Sequence, residues 1–107
     1  MPSLAVQIVR FVDAHQPGFV ECALVDAEGR EHRFVEKMPI VTLDHLNERS
    51  QYPQPGVIAC EVEASWLEPD GRALVRVTTE RPWGVESVEG QSRFVVLRTS
   101  LGPERAV

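Results

Sequence analysis

The sequence predicts an all-β fold, a small antiparallel and partly open barrel of six strands with one short helix. Three observations predict it. Apolar and polar residues alternate with period two along most of the chain, glycine-bearing turns interrupt that alternation at short intervals, and no long segment has helical periodicity. Closing the strands into a barrel removes exposed edges that a chain of this size has little else to cover. A two-sheet β-sandwich is the alternative arrangement of the same strands.

The first strand is expected over about Ser3 to Val12, rich in Val, Ile and Phe, and "DAHQPG" from Asp13 to Gly18 breaks it. A second spans about Phe19 to Asp26, with Val20, Cys22 and Leu24 on one side and Glu21 on the other. "DAEGR" then forms a tight hairpin into Arg30 to Glu36, where Gly29 supplies the position that needs positive φ. After Lys37 the alternation stops. Met38 precedes Pro39 and is pushed toward extended geometry, while "TLDHLNERS" reads as one or two helical turns capped by Thr42, with Leu43 and Leu46 on one face.

"QYPQPG", Gln51 to Gly56, is a loop, and Val57 to Ser65 has the clearest alternation in the chain. Ile58, Cys60, Val62 and Ala64 share the side expected to face the core, because burying the unpaired carboxylates of Glu61 and Glu63 costs several kcal/mol each. "EPDGR" carries the Asp-Gly turn signal into Arg72 to Glu80, with Ala73, Val75 and Val77 inward and Arg76 outward. Ser92 to Ser100 is the last strand. The tail is expected to fray from about residue 102.

The chain has 107 residues, 43% of them hydrophobic and 25% charged, which suits one folded domain over residues 1–107 with a single core. Ten arginines, one lysine and 16 acidic residues leave a formal charge of −5. The basic residues are dispersed, so a broad phosphate-binding face is not expected, and nucleic acid is disfavoured as a partner. The start, "MPSLAVQIVRFVDAH", lacks a signal-peptide pattern and no segment is long and apolar enough to span a bilayer, so a cytoplasmic location and no membrane partner are expected.

Cys22 and Cys60 lie in separate apolar runs and outside any C-x-x-C pair, and they read as buried free thiols. His15, His32 and His45 have no H-x-x-x-H or H-E-x-x-H spacing, and no metal or other cofactor is expected. The serines include no G-x-S-x-G elbow, and glycine-rich phosphate loops are missing. Glu61 and Glu63 stand about 7 Å apart on one strand face, a spacing that paired-carboxylate chemistry can use but that solvated sheet faces also show routinely.

The stretch "RPWGVESVEG", Arg81 to Gly90, places an indole between proline and glycine. Trp83 either caps the open end of the barrel or is offered to a partner beside Arg81, tryptophan and arginine being common interface anchors. Trp66, at the end of its strand, is expected to rest across neighbouring strands.

These features favour a non-enzymatic protein-interaction domain, a homodimer or an accessory subunit of a larger complex. The first and last strands are apolar on both faces, so Ala5, Val9, Phe11, Val95 and Leu97 form the expected dimer surface. The alternative is a small-ligand or catalytic site at one barrel mouth, using Tyr52, Arg81, Trp83 and Glu86. A second alternative is an acidic, immunity-type partner that neutralises a basic protein.

Overall fold

The computed structural model describes residues 1–103 and is all-β, as the alternation predicts. Seven strands occur: β1 (Ser3–Asp13), β2 (Phe19–Val25), β3 (Glu31–Lys37), β4 (Gln54–Ala59), β5 (Glu61–Leu67), β6 (Ala73–Thr78) and β7 (Arg93–Leu97). A four-residue helix, α1 (Met38–Val41), follows β3, and a 3-10 turn (Arg98–Ser100) follows β7. The strands form two antiparallel sheets, ordered β3-β2-β1-β4 and β5-β6-β7. Neither sheet closes on itself, so the partly open barrel gives way to the alternative arrangement of two sheets.

The seventh strand arises because the expected segment Val57 to Ser65 is two strands. The chain turns a corner at Cys60, whose N–H donates to the carbonyl of Pro2 at 2.9 Å, and passes from one sheet to the other. A register shift between Val62 and Ala64 adds a bulge against β6. Each displacement moves later side chains to the other face. Ile58 and Cys60 are buried as expected; Val62 lies opposite the buried Val77 but is 41% exposed at the sheet edge, and Ala64, past the bulge, shares the outer face with Trp66.

A second bulge corrects the reading of β1. Ile8 pairs with Cys22 and Arg10 with Glu21, so Val9 is the extra residue, and Phe11, paired with buried Val20, packs against the core. Phe11 is not part of an outer apolar face.

The helix lies earlier than expected. Pro39 fits its first turn, where no N–H is required, and Met38 and Val41 anchor it in the core. Thr42 ends the helix instead of starting one; its hydroxyl accepts the Asp44 N–H at 3.1 Å in a turn. Leu46 packs against the core while Leu43 is 92% exposed, so the two do not share a buried face.

One hydrophobic cluster draws on both sheets. Leu4, Val6, Ile8, Leu24 and Phe34 come from the four-stranded sheet, and Val75, Val77, Phe94 and Val96 from the three-stranded one. Phe94 joins the layers through edge contacts with Phe34 (centroids 5.6 Å apart) and His32 (4.9 Å).

The β6–β7 connection contains Trp83, which is 44% exposed. The residue of this connection that enters the core is Val85. Its N–H donates to the Thr79 carbonyl at 3.0 Å, and its carbonyl accepts the buried Thr79 hydroxyl at 2.7 Å. Gly102 and Pro103, expected to fray, are held by β1: the Gly102 N–H donates to the Ser3 carbonyl at 2.8 Å, and the Ser3 hydroxyl donates to the Pro103 carbonyl. The rest of that expectation lies outside the described residues.

Candidate binding site

Three of the four sheet edges are occupied. The carbonyl of Arg33 in β3 accepts the Val88 N–H at 2.8 Å, that of Val95 in β7 accepts the Ala27 N–H at 2.9 Å, and α1 packs against β4. The fourth edge is β5, and among the described residues no strand pairs with its outer side. Val62 and Leu67, at 41% and 72% exposure, lie along it beside the buried Val77 and the half-buried Ala73 of β6.

The outer face of this sheet is polar at one end and apolar at the other. The register sets Trp66 beside Leu74, places Arg76 between Ala64 and Val95, and brings Arg93 level with Thr78. Glu63, in the bulge, receives Nε of Arg93 at 3.0 and 3.2 Å on its two oxygens, and Nε of Arg76 lies 3.4 Å away. Hydrogen bonding from Arg93, then its charge and that of Arg76, outweighs desolvation and holds the Glu63 carboxyl below its ordinary value. Glu61 pairs with Arg81 at 2.8 Å. A general acid needs a carboxyl raised, and that of Glu63 is lowered; both glutamates are partners of arginines.

Between this face and the β2–β3 turn runs a groove of about 450 Å³. Leu74 and Val95 lie at its apolar part, Trp66 walls it, and Arg76, Arg93 and Gln91 line its polar part. The indole N–H of Trp66 donates to Glu68 at 3.2 Å, and Arg72 braces the turn by donating to the Ala27 carbonyl at 3.2 Å. On the far side the Asp26 carboxylate meets Nε2 of the buried His32 at 2.8 Å.

The residues singled out from the sequence are dispersed. Tyr52, in the connection from α1 to β4, packs against the core and donates its hydroxyl to the Asn47 carbonyl at 2.8 Å. Arg81, Trp83 and Glu86 belong to the β6–β7 connection, and the groove is lined by none of the four. Ala5 and Val9 belong to one sheet and Val95 and Leu97 to the other, so the expected dimer surface is not one patch. Sequence reasoning reads Arg76 as an ordinary outward arginine and does not single out Arg93. Their alternation with core valines was visible; their meeting on Glu63 depends on a bulge.

Both cysteines are free, and burial pushes the Cys22 thiol up to about 12, with the charges of Glu36 and Glu21 adding, and the Cys60 thiol up to about 11. Among the described residues no three His, Cys, Asp or Glu side chains are grouped to hold a metal ion, and no helix is long and apolar enough to cross a membrane.

Among the described residues, the fold and site define an all-β, two-sheet domain with an open strand edge on β5 and a groove on the outer face of the three-stranded sheet. Comparison with protein-family models, curated proteins and solved structures finds no match.

Proposed function

We propose that this chain is a non-enzymatic protein-interaction domain that self-associates along the open edge of β5. The observation that carries the reading is that edge: its outer side is unpaired among the described residues and bears two exposed aliphatic side chains, where the other three edges are covered. Unpaired backbone N–H and C=O groups on an apolar edge offer a ladder to another extended segment.

A second copy complements this edge well. In a two-fold antiparallel pairing the same β5 edge serves both copies, and Val62 and Leu67 of each copy bring exposed aliphatic side chains to the seam. The pairing closes on itself as a dimer.

Sedimentation velocity across the micromolar range tests it, comparing the parent with Val62→Lys/Leu67→Lys. Those lysines lie on exposed positions and leave the core intact. The parent is expected to dimerise and the variant to remain monomeric; a parent that stays monomeric, or a variant that dimerises equally, overturns the reading.

A further inference from the structure

The grooved face carries a second inference, independent of self-association. We infer that the groove beside Trp66 is a binding site for an aromatic monocarboxylate, its ring against the indole and its carboxylate on Arg76 and Arg93.

Three properties of the groove specify that ligand. The first is charge at the arginine end. Arg76 and Arg93 share the single carboxylate of Glu63, so two cations face one anion there. Each guanidinium has five N–H donors, and one carboxylate offers roughly four lone-pair sites, which leaves donors to spare. Of the other acids nearby, Glu61 is engaged with Arg81, Glu68 with the Trp66 indole, and Asp26 with His32.

The second property is shape. Trp66 is held by its own N–H bond to Glu68, and Leu74 and Val95 give an apolar surface next to it. A planar ring gains most on such a wall. The volume, about 450 Å³, lies in the range of small-molecule sites.

The third property limits the charge of the ligand. Glu28 lines the turn side of the groove, and no hydrogen bond or ion pair occupies its carboxylate among the described residues. A second carboxylate would be repelled there, so one negative charge is selected over two.

The same chemistry is carried by a free aromatic acid and by an aromatic residue at the C-terminal end of a peptide. The test uses 2-naphthoate for the first and a short peptide ending in phenylalanine for the second, each against its neutral amide. Calorimetry gives affinity, and the indole N–H resonance of Trp66, assigned with a Trp83→Phe variant, gives location. At least one acid is expected to bind saturably, move the Trp66 resonance and not that of Trp83, and exceed its amide about tenfold. Arg76→Gln, at an exposed position, is expected to lose about the same factor. Binding by the peptide acid alone assigns the carboxylate to a chain terminus; binding by naphthoate assigns it to a free molecule. Equal affinity for acid and amide, or no saturable shift with either acid, overturns the inference. Both comparisons use the unaltered groove, so they stand even if Arg76→Gln misfolds.

Discussion

Nε2 of the buried His32 lies 2.8 Å from Oδ2 of Asp26, while Oδ1 of Asp26 accepts the N–H groups of Glu28 (2.9 Å) and Arg30 (3.0 Å). One carboxylate thus shapes the β2–β3 turn and satisfies an imidazole packed on Phe94. Burial acts to raise the Asp26 carboxyl, but the bond to His32 and the two backbone N–H bonds outweigh it and hold it below its ordinary value of 3.8. A depressed carboxyl contributes stability at pH above that value and loses it as pH falls through the folded-state value. Asp26→Asn is expected to cost about 1–3 kcal/mol near neutral pH, since a buried polar group loses a charged partner. Urea titrations of parent and variant near neutrality and below pH 3.8 check this; the gap between the two is expected to narrow in acid.

The thiols of Cys22 and Cys60 stay protonated well above neutral pH because burial disfavours the thiolate, which is the reactive form. The folded protein is expected to react negligibly with a disulfide-exchange reagent at mildly alkaline pH. After denaturation both thiols become titratable. Rapid labelling of the native protein would contradict the burial of either residue.

Glycine is needed at Gly56 for space. A Cβ there lies 2.9 Å from Cγ1 of Ile8 and 3.1 Å from the Val41 backbone carbonyl, and the latter cannot swing away. Gly56→Ala is expected to cost about 1–3 kcal/mol by overpacking. Gly29 differs, having open space around it but φ of 82°. Gly29→Ala is expected to cost about 1 kcal/mol through the backbone alone. Chemical denaturation of the two variants separates the causes.

The Thr79 hydroxyl bridges the ends of the β6–β7 connection, donating to the Val85 carbonyl at 2.7 Å with the Ser92 carbonyl at 3.3 Å. Thr79→Val leaves those acceptors without it in a buried place, and an expected loss of about 1–3 kcal/mol follows. Thr79→Ser restores the donor and is expected to recover most of that loss. Thermal melts of the pair decide whether the hydroxyl or the methyl group matters.

Much of the fold was legible because strands announce themselves locally. The Phe19–Val25 and Glu31–Lys37 hairpin, its Gly29 turn and the inward set Val20, Cys22 and Leu24 follow from alternation and one positive-φ glycine. The helix was misplaced because Thr42 and Asp44 suit a turn as well as a cap, and a helix of four residues depends on Met38 and Val41 finding the core. The site was less legible still. Trp83 drew attention as an indole in a turn, yet Val85, a small residue without a local signal, is the one that fills the core.

The sequence by itself determined which residues alternate, where the chain reverses, and that the cysteines and aliphatic runs are interior, since these depend on side chains and turns a few residues apart. Only the tertiary structure decided that the chain changes sheets at Cys60, that Val9 and the Val62–Ala64 step break register, and hence that Arg76 and Arg93 converge on Glu63. The reason is the two-residue period of a strand. A single extra residue transfers every later side chain to the opposite face, and the partner strand that admits it lies far away along the chain.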